Sequence, residues 1–403
     1  MRLAVVSPFV DRRHGTERAL AELLERLAGK YGCEIHLYAQ RVEELRLGDP
    51  PSSRSQNSGA IFWRKVPSIP GPHVVQFLVW IFFNAWLRRR HVFFGGAAFD
   101  LVLSPGINSF HPDVVIVHAL FHRLQELSRE EKRDRTSPGG IFRRLHRRIY
   151  YGLLTRLERS VYTDKNVALA AVSQRTASLL KEYFHREDVC LIPNAVDAVQ
   201  FNVAARYERR AKARERRGFR DGDFVLLLIG NDWRIKGLPT ILGAMALLPD
   251  PAIKLLVVGN DGVEPFLARA AQLGLGDRCH WETSQPDVLD FYAVADAYVS
   301  PTREDSFGLP VAEAMACGLP VITSIFAGIA GDIYDGVDGF VLRDPTDSRN
   351  LAALIQRLQT DSELHRKLGG AAAKTSQQWN WDRSASALWE LLKTANVRKH
   401  PQS

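Results

Sequence analysis

The chain has little cysteine, and none of it is spaced for chemistry. Cys33, Cys190, Cys279 and Cys317 are the only four among 403 residues and no two form a Cys-x-x-Cys pair. That pattern excludes a disulfide framework or a zinc module of ordinary spacing and reads as reduced, mostly buried thiols of a cytosolic protein. Long apolar runs are missing too. Residues 1–9 carry too short an apolar run for a signal peptide and read as a first strand. Residues 74–87 are strongly apolar and lead into Arg88, Arg89 and Arg90, but they are too few for an unassisted spanning helix. Two readings stay open for them, an interfacial helix facing acyl chains and a buried core helix ending on cations. Short-period repeats and low-complexity tracts are absent, as is any aromatic-and-basic platform or groove-reading module for nucleic acid. The spacing of His111, His118 and His122 suggests no metal set, and Asp221-Gly-Asp223 precedes a strand and reads as a turn.

What is present is ordinary in amount and informative in arrangement. A length of 403 residues favours two domains, and 46% hydrophobic with 24% charged residues is normal for a globular protein. A formal net charge of +8 favours anionic partners such as nucleotide sugars, lipid headgroups or nucleic acid. Short apolar runs alternate with amphipathic stretches in both halves, predicting parallel sheets flanked by helices. The expected strands are residues 3–6, 35–38, 101–103, 114–118 and 167–172, then 224–229, 254–258, 297–300, 321–323 and 340–342, with a crossover helix over 19–28. The charged run 206–220 reads as a solvated helix and connector, and residues 398–403 as a disordered tail.

In an open parallel sheet, ligands bind where loops leave the carboxyl ends of strands. Three loops fit. One follows the first strand and holds Gly15, where backbone could approach a diphosphate or an acceptor. The second, GNDWRIKG over residues 230–237, could offer Arg234 and Lys236 to a departing diphosphate, or carry them as surface cations. The third is REDSFGLPVAEAMACGLPVIT over 303–323. There Ser306 is expected to cap a helix beginning near residues 307–309, with Pro310 in its first turn and Gly318 at its end. The helix N-terminus favours a phosphate. Asp305 and Glu313 could accept hydrogen bonds from sugar and ribose hydroxyls, or be merely solvated and capping. His118, closing the strand 114–118, could orient a sugar hydroxyl or move a proton, or be a satisfied structural histidine.

The ordered set of these motifs, with residues 172–173 (VS), 192–197 (IPNAVD) and 257–259 (VVG), resembles the retaining GT-B-fold glycosyltransferases of family 4 over nearly the full length. The resemblance implies an α/β fold, with two Rossmann-like doubly wound domains facing each other across a cleft. Residues 1–197 would bind the acceptor, with the helix 383–397 packing back on them and Trp381 at the hinge. Residues 198–382 would bind the nucleotide sugar. Lys236 would hold the diphosphate, Phe307, Gly308 and Leu309 would give backbone contacts, and Glu313 would hold the ribose. Asp305 stands where the family usually has glutamate, with Glu304 beside it, and Asn231 where many members carry arginine, a charge Arg234 could replace. The implied catalytic residues are His118, Asp305 and Lys236. Donor contacts are expected from Gly15, Asn231, Arg234, Lys236, Ser306, Phe307, Gly308, Leu309 and Glu313. No metal or other cofactor is expected.

The activity this implies is retaining transfer of a hexose-type sugar from a nucleoside diphosphate sugar to a hydroxyl acceptor, in polysaccharide, lipopolysaccharide or glycolipid assembly. With the basic run 143–148, residues 74–87 suggest a cytoplasmic enzyme peripheral at the inner membrane face and acting on a lipid-linked saccharide. A soluble sugar or sugar-phosphate synthase is the alternative. A non-catalytic nucleotide-binding protein is the second, and nucleic acid is not an expected partner.

Overall fold

The computed structural model describes residues 1–12, 14–48, 59–133, 141–285 and 287–401. The chain divides into two compact units, Met1–Pro193 with Asp382–Ser403, and Asn194–Trp381. The break therefore precedes the expected one at Asp197. Ile192 N still bonds to Ala171 O of the first unit, whereas Val196 N donates to Trp379 O, so residues after Pro193 belong with the second.

In the first unit the strands are β1 Arg2–Val6, β2 Phe9–Val10, β3 Glu34–Ala39, β4 Arg41–Val42, β5 Ala60–Lys65, β6 Leu101–Pro105, β7 Val114–Val117, β8 Ala168–Ala171 and β9 Val189–Leu191. Seven form a sheet in the order β5-β3-β1-β6-β7-β8-β9, and β2 pairs with β4. Every pairing is parallel. The helices are α1 Gly15–Tyr31, α2 His73–Phe93, α3 Phe121–Arg133, α4 Ile141–Tyr162 and α5 Gln174–Phe184. Central strands such as β1 and β7 are unbroken apolar runs because both faces are covered. The edge strands β5 and β9 went unpredicted: both are half-exposed, β9 is short, and β5 ends on Arg64 and Lys65.

The second unit begins with α6 Val203–Arg216 and continues β10 Phe224–Ile229, α7 Leu238–Ala246, β11 Ile253–Val258, α8 Glu264–Gln272, β12 Cys279–Glu282, α9 Leu289–Val294 and β13 Ala297–Ser300. It ends with α10 Leu309–Ala316, β14 Val321–Ser324, β15 Phe340–Leu342, α11 Ser348–Thr360 and α12 Ser362–Thr375. Its parallel sheet has the order β12-β11-β10-β13-β14-β15. The strand order reverses between β10 and β13, which is where doubly wound sheets open a crevice for ligands.

Two expectations are corrected by burial and hydrogen bonding. The charged run after residue 205 is not simply solvated. Arg206 and Arg214 are buried on α6, where Arg206 donates to Tyr292 O at 3.2 Å and Ala295 O at 2.8 Å, and Arg214 to Val294 O at 3.0 Å. These guanidiniums satisfy carbonyls at the carboxyl end of α9, the negative end of its dipole. Nor are residues 398–399 a loose tail. Helix α13, Trp381–Lys399, runs through them, and Lys399 Nζ lies 2.9 Å from Asp113 Oδ2.

Helix α2 fits neither sequence reading alone. Trp80, Ile81 and Asn84 are buried, whereas Phe82, Phe83 and Trp86 are exposed. Among the described residues no helix is long and apolar enough to cross a membrane. Of the basic run 143–148, only the Arg148 side chain lies within the described residues, and it is exposed.

Candidate active site

The loops that leave β10 and β13 flank the switch point of the second sheet and are fastened to each other. Arg303 N donates to Ile235 O at 2.7 Å, and Thr302 Oγ1 to the same carbonyl at 3.1 Å. Gly237 closes the first loop at φ 86° and caps α7; a Cβ there would lie 2.1 Å from Pro301 O, so only glycine permits this approach. Lys236 is fixed between these anchors, its amide donating to Asp232 O at 3.0 Å. The second loop is held from the β14 side. Asp305 N donates to Phe326 O at 3.1 Å, and Gly328 N to Asp305 O at 2.7 Å. As a result Lys236 Nζ and Asp305 Oδ2 meet at 2.5 Å, with both side chains mostly shielded from solvent.

Helix α10 starts two residues later than a Ser306 cap requires. Gly308 is the capping residue, at φ 99°, and brings no capping side chain of its own. The left-handed turn at Gly308 does the work a serine hydroxyl was expected to do, and Pro310 sits in the first turn where its missing N–H costs nothing. Gly318 ends the segment as expected, at φ 71° with its N–H on Met315 O at 2.9 Å. In the first turn of α10 Val311 N and Ala312 N donate to Gly308 O at 2.9 and 3.1 Å and Pro310 has no N–H, so the positive end of the helix rests on its dipole and on the Leu309 amide.

Glu313 is not a solvated acid at an open mouth. It is 3% exposed, and Tyr292 OH donates to its Oε2 at 2.6 Å. Burial and the adjacent carboxylate push the Tyr292 phenol well above its ordinary pKa, so it stays a proton donor to Glu313.

Other expected residues are more dispersed. Asn231 is exposed and its Oδ1 accepts the Asn260 amide at 2.8 Å, a contact that shapes the loop. Arg234 lies over the Phe266 ring at 5.8 Å, drawn to an aromatic face. Ser306 is partly buried, and Phe307 is buried with its ring edge-on to Trp379 at 6.2 Å. Leu309 is the buried first residue of α10. Trp381, expected at the hinge, is buried as well.

Gly15 and His118 lie in the first unit. Gly15 opens α1 and is exposed, after His14, whose amide bonds to Asp11 Oδ1 at 3.0 Å. His118 follows β7 and is buried, which pushes its pKa down to about 4; its Nε2 has no hydrogen-bond partner among the described residues. His122 differs, since its Nδ1 lies 2.5 Å from Glu158 Oε2 and Glu158 also accepts the amides of Phe121 and His122 at the start of α3. Among the described residues no three His, Cys, Asp or Glu side chains gather into a metal site.

Sequence reasoning missed Tyr292 and Thr302. Tyr292 lies inside the apolar run of α9, where nothing in the spacing separates a hydrogen-bonding phenol from a core ring.

Comparison with known families bears on this geometry. The model for glycosyl transferases group 1 matches residues 209–375, inside the second unit and spanning both loops. This segment of the chain matches the glycosyl transferases group 1 family. Among curated relatives, it is similar to a D-inositol 3-phosphate glycosyltransferase of Xylanimonas cellulosilytica, 28% identical over 252 residues. That match spans 60% of this chain and 60% of the relative's length. Among solved structures it resembles WaaG, a glycosyltransferase involved in lipopolysaccharide biosynthesis, with TM-score 0.75 at 21% identity, covering 99% of this chain and 100% of that one. It also resembles HepE of Anabaena in complex with UDP-glucose, with TM-score 0.70 at 18% identity over 98% and 100% of the two chains. At such identities the structural likeness shows the fold, which is GT-B with two Rossmann-like units. The matched span carries both the loop with Lys236 and the segment with Asp305 and Glu313.

Proposed function

We propose that this protein transfers a hexose-type sugar from a nucleoside diphosphate sugar to a hydroxyl acceptor, with retention at the anomeric carbon. The observation that carries the reading is the Lys236–Asp305 pair at the switch point of the second sheet. A lysine whose ammonium is paired with a partly buried carboxylate is poised to exchange that partner for a diphosphate. The first turn of α10 and Arg234 add positive potential for the charge that grows on the departing diphosphate. The protein itself supplies that compensation, so turnover is expected to need no divalent metal. Once released from Lys236, Asp305 is free to accept hydrogen bonds from donor-sugar hydroxyls, and Glu313, held by Tyr292, takes the ribose. Front-face departure of the diphosphate, with the acceptor hydroxyl entering on the same side, accounts for retention without an enzymic nucleophile. On this reading His118 meets a sugar hydroxyl through its orphaned Nε2, and Gly15 allows close approach of substrate in the first unit.

The acceptor we propose is a lipid-linked saccharide in cell-envelope polysaccharide or lipopolysaccharide assembly, reached by a cytoplasmic protein peripheral at the inner membrane face. The likeness to WaaG and the exposed aromatics of α2 support it. A small soluble phosphorylated acceptor is the second reading, favoured by the similarity to a D-inositol 3-phosphate glycosyltransferase. A donor panel of uridine, guanosine and adenosine diphosphate sugars, following nucleotide release and the phase in which labelled sugar appears, tests both. Labelled sugar in the lipid phase supports the first, and in the aqueous phase the second. No nucleotide release with any donor would refute the transfer itself.

A further inference from the structure

Residues 50–99 contain no aspartate or glutamate, yet they carry Arg64, Lys65, Arg88, Arg89 and Arg90. The structure gathers the second half of this stretch on one helix end. Phe82, Trp86, Phe93 and Phe94 of α2 and its cap are 60%, 51%, 83% and 73% exposed, a density of solvated aromatic rings that a surface without a partner does not keep. The Arg90 guanidinium lies 5.2 Å from the Trp86 ring centre and 5.4 Å from that of Phe94. Arginine interleaved with tryptophan and phenylalanine is the composition of a membrane interface, where rings sit at headgroup depth and guanidiniums meet phosphates.

Two grooves flank this helix end. One, of about 1200 Å³, is lined by Phe82, Phe83, Trp86, Arg89 and Phe93. The other, of about 680 Å³, is lined by Tyr38, Arg64, Lys65, Arg90 and His91, with no carboxylate among its described lining residues. Tyr38 is 2% exposed, and its hydroxyl has no hydrogen-bond partner among the described residues. Arg64 donates its Nε to His36 Nδ1 at 3.2 Å, and the carboxylate nearest that ring, Glu34 Oε1, lies 2.9 Å from its other nitrogen and does not line the groove. A donor hydroxyl without an acceptor and three cations around one groove call for an anion.

We propose that the carboxyl-terminal half of α2 docks the first unit on an anionic phospholipid surface, its aromatic side chains entering the headgroup–acyl boundary and one lipid phosphate seated against Arg64, Lys65, Arg90 and the Tyr38 hydroxyl. This rests on the membrane part of the function proposed above and is independent of the transfer chemistry. The commitment to a phospholipid, not a free phosphate, follows from the aromatic groove beside the basic one, since a soluble anion has no use for the exposed rings.

The test is flotation of the full chain with vesicles of phosphatidylcholine, with and without phosphatidylglycerol. Two variants are made at exposed positions, Trp86→Ser with Phe93→Ser and Phe94→Ser, and Lys65→Gln with Arg90→Gln. The wild type floats with anionic vesicles. The aromatic variant loses binding, and the basic variant loses about tenfold in its preference for phosphatidylglycerol. Both keep the wild-type melting temperature and the wild-type rate of nucleotide release with a soluble acceptor. A wild type that stays unbound, or an aromatic variant that floats like the wild type, overturns the proposal. So does protection of the basic groove by glycerol phosphate without recruitment to vesicles, which would assign it to a soluble anion. Normal flotation by a protein that releases no nucleotide from any donor would leave this surface standing and remove the transferase reading instead.

Discussion

Lys236 Nζ and Asp305 Oδ2 lie 2.5 Å apart although 69 positions separate them in the chain. The two loops that carry them leave neighbouring parallel strands, β10 and β13, on either side of the point where strand order reverses. Without a donor, the carboxylate occupies the cation that a diphosphate would claim. Replacing Asp305 by asparagine therefore has two opposite effects. Affinity for a free nucleoside diphosphate rises severalfold because Lys236 loses its competitor, while kcat with a nucleotide sugar falls by ~10²-fold as a charged contact to the donor sugar is lost. Calorimetry with the diphosphate and steady-state kinetics measure the two arms separately, and weaker diphosphate binding in Asp305→Asn would contradict the competition.

Tyr292 and Glu313 form the second pair of the site. Tyr292→Phe removes the hydroxyl and leaves Glu313 Oε2 buried without that donor, which costs about 1–3 kcal/mol of stability. If Glu313 holds the ribose, the same variant raises the donor KM several-fold with a smaller change in kcat. Thermal melting and a donor titration report both quantities. An unchanged melting temperature would mean that water or another group replaces the phenol.

His118 is held neutral by burial, with a pKa of about 4 against 6.5 in an unfolded chain. Between those values the unfolded state binds the proton and the folded state does not, so stability rises with pH across this window and falls as pH drops from 6.5 toward 4. The whole difference is ~3 kcal/mol. Its share of the stability–pH slope disappears in His118→Gln, which denaturant melts at several pH values would detect. A pH–rate profile carries no inflection from His118 near neutrality. A histidine titrating near 6.5 by NMR, and lost in the variant, would overturn this assignment.

Gly237 tests the backbone of the site without touching a charge. A Cβ at φ 86° would press on Pro301 O, so Gly237→Ala moves the Lys236 loop away from the β13 loop. The expected cost is ~2 kcal/mol or more in stability, together with loss of diphosphate binding. Gly274, also left-handed at φ 69° but with nothing within 4 Å of an added Cβ, is the matched control. Equal tolerance at both positions would show that the loop is not held as described.

Much of the sheet architecture was legible because its strands are covered on both faces and read as plain apolar runs. The strands over 224–229, 297–300 and 340–342 coincide with β10, β13 and β15. The edge strands β5, β9 and β12 escaped notice because half-exposure removes that signal, as Arg64 and Lys65 in β5 illustrate. Lys236 and Asp305 could each be placed after a strand, but their contact depends on β10 lying beside β13, a pairing the order of the runs does not specify. The cap of α10 was misread because serine caps through a side chain that local sequence reveals, whereas Gly308 caps through a backbone angle set by its surroundings. The arginines of α6 looked solvated because their acceptors are carbonyls at the end of α9, some 80 residues away.

The central claim is that the crevice beside Lys236 binds a nucleoside diphosphate and stabilises it as a leaving group. The most direct measurement is nucleotide release from the preferred nucleotide sugar by the wild type and by Lys236→Ala, at donor concentrations that give kcat and KM separately. The predicted result is a fall of ~10²-fold or more in kcat/KM, with kcat carrying most of it because the charge on the diphosphate grows in the transition state. Turnover by Lys236→Ala at the wild-type rate would contradict the account.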